Sequence, residues 1–267
     1  MSVQPVLTQN VETREGNMHF VKQGSGIPLI MLHPNGSSTW VWQWVIELLS
    51  HDYACYAFDM LGHGESAKPS RHNISMPDHA QALDDACQQL DIHQGYFVGN
   101  SVGASLAIEM ASSFPERVDK LVLVGCPVWN PHNASVRLED TVGDSDENHL
   151  PKPRTLEELK QRTTFFNPKQ EWLEATNKSH AQAGVLVGEV RRALAYYDIM
   201  ARLPLVKARA TLVMNGEHDR RRVVGDMLLN NIRNSSKAIL PGTGHVPQVE
   251  DPEGFADMVG AFLRPAS

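Results

Sequence analysis

Gly99-Asn100-Ser101-Val102-Gly103 is the stretch that decides the fold, because it joins a short apolar run to a longer pattern of small residues. The apolar run over residues 95–98 predicts a buried strand, and residues 102–113 predict a helix. A serine on a tight strand-to-helix turn needs small neighbours, and the two glycines let sheet and helix approach each other. Ser101 would then project its oxygen away from the sheet, beside free N–H groups at the helix N-terminus. The alternative is a serine in an ordinary glycine-bearing turn.

Similar apolar runs lie on both sides of this turn. Their continuous apolar character, without alternation, is typical of strands that are covered on both faces. The predicted strands are residues 27–32, 54–58, 95–98, 120–124, 210–214 and 238–240, and the predicted helices are 40–49, 76–90, 102–113 and 252–263. Strands that alternate with helices predict an α/β fold with a mostly parallel central sheet flanked by helices.

This alternation stops over residues 128–203. Residues 139–147 are acidic and predict a solvated loop, and helices are predicted over 156–166, 170–176 and 184–200. We therefore predict one sheet domain, formed by residues 1–127 and 204–267, that carries residues 128–203 as a helical insertion.

A second candidate for chemistry lies near the C-terminus, in Gly242-Thr243-Gly244-His245-Val246-Pro247. Two glycines before a histidine suit an exposed loop that carries a general base, because histidine titrates near neutrality. A lone loop histidine is more often only exposed to solvent. The chain has 12 histidines, so the glycines and the position single out His245.

A third candidate is the turn Asn215-Gly216-Glu217-His218-Asp219, directly after a predicted strand. A carboxylate here could orient an imidazole and stabilise its protonated form. Asp219 and Glu217 both qualify by residue type. The alternative is a charged surface turn.

The order of these candidates along the chain is informative. Ser101, Asp219 and His245 follow the nucleophile, acid and base order of α/β-hydrolases. Two more segments resemble that superfamily: residues 33–40 resemble its oxyanion loop, and residues 58–66 resemble its D-x-x-G-x-G-x-S turn. The resemblance runs from about residue 17 to residue 263. It implies an α/β-hydrolase fold in which residues 128–203 form a helical lid after the sixth strand.

The resemblance also implies roles for single residues. Ser101 would be the nucleophile and His245 the base, and the family turn G-x-x-D favours Asp219 over Glu217 as the acid. The backbone N–H groups of Asn35 and Val102 would form the oxyanion hole. The usual H-G pair of the oxyanion loop is replaced here by a histidine and a proline, which has no N–H, but the expected donor comes one residue later.

The expected reaction is hydrolysis of a carboxylic ester or lactone through an acyl-enzyme, without cofactor or metal. With an ordinary histidine pKa, the rate would fall below about pH 6.5. One alternative is C–C bond hydrolysis of vinylogous ketone-type ring-cleavage products. Others are a hydrolase-like ligand receptor and a cofactor-free oxygenase or perhydrolase on the same scaffold.

An apolar or aromatic small-molecule substrate is expected from aromatic and aliphatic residues near the predicted catalytic loops and in the insertion. The candidates for substrate binding are Trp40, Trp129, Phe165, Tyr196 and Val246. The alternative is that most of the aromatic residues pack the insertion onto the core. Arg191 and Arg192 could meet a substrate carboxylate, although a solvated helix face is the more common role.

Composition sets outer limits on partners and location. The 24 basic and 31 acidic side chains give a net charge of −7, which argues against a nucleic-acid partner. Three scattered cysteines fit a reducing compartment, and residues 1–5 do not open a signal peptide. We expect a cytoplasmic monomer or homodimer that has no membrane partner.

Overall fold

The computed structural model describes residues 6–139 and 142–264, and eight strands run through this part of the chain. The strands are β1 (Leu7–Val11), β2 (Met18–Gln23), β3 (Ile27–Leu32), β4 (Tyr53–Phe58), β5 (Gly95–Asn100), β6 (Val118–Val124), β7 (Ala210–Gly216) and β8 (Ser235–Leu240). They form one sheet in the order β1-β2-β4-β3-β5-β6-β7-β8. All pairs from β4 to β8 are parallel, whereas β1 pairs with β2 and β2 with β4 in antiparallel fashion. The predicted mostly parallel sheet is confirmed.

Helices cover both faces of this sheet. They are α1 (Gln43–Leu49), α2 (Met76–Gln89), α3 (Val102–Ser113), α4 (Ala134–Glu139), α5 (Leu156–Gln161), α6 (Gln170–Ala183), α7 (Leu186–Ala195), α8 (Ile199–Arg202), α9 (Gly225–Asn231), α10 (Pro247–Glu250) and α11 (Pro252–Leu263). Short 3-10 turns precede several of them. The predicted bounds of the helices that became α3 and α11 agree with the structure.

Neighbouring side chains on one strand enter different cores, which explains the continuous apolar runs. Phe97 packs into the core beneath α2 and α3. Val98, the next residue, packs into the core on the other face, together with Phe255 and Val259 of α11. A strand buried on both faces has no polar side to reveal its period.

The segment between β6 and β7 differs in detail from the prediction. The helix expected over residues 156–166 ends at Gln161, and the one expected over 184–200 is split into α7 and α8. The acidic stretch 139–147 is not a solvated loop throughout, because Asp144 is buried among arginines. Residues 140 and 141 lie outside the described residues, as do residues 1–5, on which the leader prediction rests.

Two further findings concern the expected environment. No helix in the described ranges combines the length and the apolar character needed to cross a membrane. Cys55, Cys87 and Cys126 are all buried free thiols. Burial raises the pKa of each thiol to about 12, so these cysteines are inert packing residues.

Candidate active site

Ser101 lies at the carboxyl end of β5 in a backbone conformation that few non-glycine residues adopt, with φ 58° and ψ −119°. Its amide N–H donates to the carbonyl of Val124 at 2.8 Å, which ties the turn to the neighbouring strand β6. Such a strained conformation persists only where the surroundings enforce it, and it is typical of functional sites. The turn places the Ser101 hydroxyl above the sheet edge, at the N-terminus of α3.

The glycines on either side of Ser101 permit this turn. A Cβ on Gly99 would overlap the carbonyl of Gly103, and a Cβ on Gly103 would overlap the carbonyl of Leu32 in β3. Sheet and helix therefore approach to a distance that no larger residue allows. The sequence pattern predicted this role for the two glycines.

His245 and Asp219 meet beside this serine, although they come from different loops. His245 Nδ1 lies 3.0 Å from Asp219 Oδ2. The two residues follow β8 and β7, whose carboxyl ends meet at the same edge of the sheet as that of β5. Glu217, the other candidate acid, is exposed and accepts instead from the Gly242 amide at 2.9 Å.

Several donors hold the Asp219 carboxylate in its ionised form. Burial alone would raise its pKa, but His245, the Arg221 amide and the Asn215 side chain lower it below the ordinary value. An ionised carboxylate at Nδ1 leaves Nε2 of a neutral His245 ring as the acceptor. The pair is therefore set up to receive a proton at Nε2.

A guanidinium occupies the place where that proton would travel. Arg221 Nη1 lies 2.5 Å from Ser101 Oγ and 2.8 Å from His245 Nε2. Within the described part of the chain, no direct hydrogen bond joins Ser101 to His245. The side chains of Ser101 and His245 are thus brought together, but each binds the same Arg221 nitrogen instead of the other.

The environment of His245 moves the expected pH dependence. Burial and the charge of Arg221 lower the pKa of His245 below 6.5, against the opposing effect of Asp219, and Arg220 lowers it further. A general base must be neutral, and kcat/KM reports the free enzyme, so we expect its acid limb below pH 6.5. The expected fall below about pH 6.5 keeps its direction and moves further toward acid pH. A pH profile of kcat/KM that fell at or above pH 6.5 would contradict this.

Hydrogen bonds of His33 and Pro34 hold the loop that is expected to supply an oxyanion donor. His33 donates from Nδ1 to the carbonyl of Pro34 at 2.8 Å and accepts the Met60 amide on Nε2 at 2.9 Å. The Pro34 carbonyl also accepts from Ser37, which closes a turn. Asn35 and Val102 both line the cavity beside Ser101. Their amides remain proposed donors.

Asn35 also connects this loop to the segment between β6 and β7. Its side-chain Nδ2 donates to the carbonyl of Val187 in α7 at 2.9 Å. Its Oδ1 lies 3.2 Å from His63 Nε2, in the turn after β4. The loop, the turn and α7 are therefore held in one arrangement.

A cavity of about 250 Å³ opens beside Ser101. Four of the five residues predicted to bind substrate line it, namely Trp40, Trp129, Phe165 and Val246. The fifth, Tyr196, is 61% exposed and lines a different cavity with Met76 and Leu205. Tyr196, at the C-terminal end of α7, therefore does not line the cavity beside Ser101. Phe165 also packs on Trp172, with ring centroids 5.2 Å apart.

The cavity wall carries more positive charge than the sequence suggested. Asp144 binds Arg162 at 2.6 Å, Arg154 at 3.3 Å and Arg191 at 3.4 Å, and all four residues line the cavity with Arg220 and Arg221. Arg191 thus faces the cavity instead of solvent, whereas Arg192 is exposed. The cavity wall therefore combines apolar side chains with arginines.

Arg221 is the site residue that sequence reasoning missed. The run Arg220-Arg221-Arg222 directly after Asp219 was the available signal, but its letters do not say which side chain turns inward. Among the described residues, no group of three or more His, Cys, Asp or Glu side chains could hold a metal ion.

Comparisons with known proteins cover most of the chain. Residues 27–252 match the family described as alpha/beta hydrolase fold. An uncharacterised protein of Mycobacterium tuberculosis is 37% identical over 101 residues, which is 38% of this chain and 29% of that protein. This chain therefore spans less than a third of that relative. The 2-hydroxymuconate semialdehyde hydrolase of a Pseudomonas strain is 28% identical over 284 residues, 94% of this chain and 90% of that protein.

A solved structure agrees over a similar length. A thermophilic esterase from Thermogutta terrifontis superposes with a TM-score of 0.81 at 21% identity, covering 97% of this chain and 98% of that one. This likeness shows a shared fold.

Proposed function

The chain belongs to the α/β-hydrolase fold family, and we propose that it is a serine hydrolase that cleaves a carboxylic ester or lactone through an acyl-enzyme. The observation that carries the proposal is the 3.0 Å contact of His245 with Asp219 beside the strained turn at Ser101. Ser101 is the proposed nucleophile, His245 the base and Asp219 the acid. These roles need a neutral imidazole whose Nε2 faces the hydroxyl.

The first chemical step forms the acyl-enzyme. Once the Arg221 guanidinium moves aside, Nε2 of His245 accepts the Ser101 proton while Oγ attacks the carbonyl carbon. The carbonyl electron pair moves onto oxygen, where the amides of Asn35 and Val102 are the proposed donors. Each donor of this kind lowers the barrier by about 3 kcal/mol. Collapse of the tetrahedral intermediate expels the alcohol, which takes its proton from His245.

The second step releases the acid. Water gives a proton to His245 and attacks the acyl carbon, and the Ser101 oxygen leaves with that proton. Asp219 stays ionised throughout and stabilises the imidazolium that forms in each half-reaction. Its lowered pKa supports this role.

We also propose that residues 128–203 act as a lid. Trp129, Phe165 and Arg191 from this segment form part of the cavity wall. The segment is fastened to the core by the Asn35 contact with Val187 and by Glu250, which accepts the Phe166 amide at 2.7 Å. Movement of the segment would change both the size and the polarity of the cavity.

Two kinds of lining favour a small substrate that has an apolar body and an acidic end. Trp40 and Val246 offer apolar contact, and the arginines around Asp144 offer sites for an anion. C–C bond hydrolysis of a ring-cleavage product is therefore a second candidate. It is favoured by the similarity to a 2-hydroxymuconate semialdehyde hydrolase, because the name of that compound denotes a carboxylate. It is also favoured by Arg191, which lines the cavity.

A fluorophosphonate probe tests the proposed function. We expect a covalent adduct on Ser101 by mass spectrometry, and turnover of esters or lactones in a panel that also contains vinylogous ketones. Selective turnover of the ketones would favour C–C hydrolysis. No adduct and no turnover, with tight binding of a ligand, would favour a receptor. Dependence on oxygen or peroxide would favour an oxygenase or perhydrolase.

A further inference from the structure

The Arg221 side chain blocks the proton path that the proposed mechanism needs. His245 Nε2 has one lone pair, and Arg221 Nη1 already donates to it at 2.8 Å. The same nitrogen donates to Ser101 Oγ at 2.5 Å. With both acceptors occupied by one cation, Ser101 cannot pass its proton to His245. The arrangement is therefore a resting state, and something must draw the guanidinium away before chemistry begins.

The guanidinium of Arg221 lies near the Asp219 carboxylate but is not bonded to it. No ion pair joins Arg221 to a carboxylate among the residues that the structure describes. The carboxylate of Asp219 instead accepts from His245, Asn215 and the Arg221 backbone amide. A guanidinium stays protonated in proteins, so burial leaves an unpaired cation in the cavity.

The surroundings add further positive charge. Burial lowers the pKa of Arg221, and the charges of Arg220 and Arg191 lower it too, against the opposing effect of Asp219. Both of these arginines line the same cavity. An anion that enters would meet several cations at once, and a carboxylate can bind a guanidinium through two parallel hydrogen bonds.

Arg221 binds the acid through its backbone amide and binds Ser101 and His245 through its side chain. The Arg221 amide donates to Asp219 Oδ1 at 2.9 Å, which fixes the root of the side chain. Two residues further on, Val223 is 83% exposed, so this 3-10 turn lies at the surface. Rotation about the side-chain bonds would therefore release Ser101 and His245 while the contact between His245 and Asp219 stays in place.

We propose that Arg221 is a specificity-determining residue that separates Ser101 from His245 until the carboxylate of an anionic substrate captures its guanidinium. This inference rests on the proposed serine hydrolase function. It names the substrate class as esters or lactones that carry a carboxylate within reach of the reacting carbonyl. A neutral ester offers no group that competes for the guanidinium, so it meets a blocked nucleophile.

The test compares p-nitrophenyl hydrogen adipate, which carries a carboxylate, with its neutral methyl ester, p-nitrophenyl methyl adipate. The variants are Arg221→Met and Arg221→Gln, and the control is Arg222→Met, which removes one exposed charge from the same turn outside the cavity. We expect the ratio of kcat/KM for acid over methyl ester to fall about 10- to 100-fold in both Arg221 variants. The methyl ester should be cleaved faster than by wild type. The control should keep the wild-type ratio.

The pH profile gives a second readout that a merely structural role would not move. His245 faces Arg221, Arg220 and Asp219, and loss of the Arg221 charge raises the pKa of His245. The acid limb of kcat/KM should therefore move to higher pH in Arg221→Met and stay in place in Arg222→Met. An unmoved limb in Arg221→Met would count against the inference.

The outcomes separate the two proposals. An unchanged substrate ratio, or equal losses on both esters, would overturn the role of Arg221. Free adipate should inhibit ester cleavage. If free adipate instead accelerated cleavage of the neutral ester, the proposal that the substrate's own carboxylate captures Arg221 would be overturned. If Ser101→Ala kept its activity on both esters, the serine hydrolase function would fail and the inference with it. An inactive Ser101→Ala with an unchanged ratio would remove only the inference.

Discussion

Replacement of Ser101 by alanine is expected to lower kcat/KM for a p-nitrophenyl ester by about 10⁴- to 10⁶-fold. The substitution removes the hydroxyl oxygen that forms the proposed acyl bond, at the strained turn with φ 58°. Residual rate would come from substrate binding and the oxyanion donors alone. Initial rates and single-turnover measurements at matched protein concentration would quantify the loss.

Ser105→Ala is the matched control for this prediction. Ser105 lies on α3, four residues after the nucleophile, and is completely buried. Its hydroxyl does not line the cavity, so its loss should change kcat/KM by less than about threefold. Comparable activity of Ser101→Ala and wild type would remove Ser101 from the mechanism.

Asp219→Asn is expected to lower kcat by about 10³- to 10⁴-fold with the fold intact. An amide can donate to His245 Nδ1, which would favour the tautomer whose Nε2 carries the proton and cannot accept another. The imidazolium of each half-reaction would also lose its partner at 3.0 Å. Steady-state kinetics with a p-nitrophenyl ester, together with thermal melting, would separate a catalytic loss from a folding loss.

Glu217→Gln is the control for the acid. Glu217 qualifies by residue type and lies two residues away, but it is exposed and binds the Gly242 amide. Its neutralisation should leave kcat within about threefold of wild type. A large loss in Glu217→Gln with little change in Asp219→Asn would reverse the assignment of the acid.

The parts of the fold that were predictable are those in which local pattern and tertiary environment agree. Residues 29–32 of β3 and 96–98 of β5 are apolar because both faces are covered, and α3 begins directly at the turn that Gly99 and Gly103 permit. β1 and β2 escaped prediction because they form the antiparallel edge. Four of the five residues of β1 are exposed, and polar residues interrupt β2.

The candidate site was predictable to the level of its loops. Chain order and turn composition placed Ser101, Asp219 and His245, but they say nothing of side-chain direction. In the sequence, Asp144 belongs to an acidic run that predicts a solvated loop. In the structure, three arginines further along the sequence form ion pairs with it. The sequence could not distinguish Arg221 from Arg220 and Arg222, because only tertiary packing decides which of three consecutive arginine side chains points inward.

The spacing between Asp219 and Arg221 matters to anyone who redesigns this protein. The amide of Arg221 is a ligand of the Asp219 carboxylate, so both side chains hang from one short stretch of backbone. Grafting this stretch from a homologue would transplant both as a single cassette. A library that aims at new selectivity should therefore keep the length of the graft constant and randomise position 221 alone.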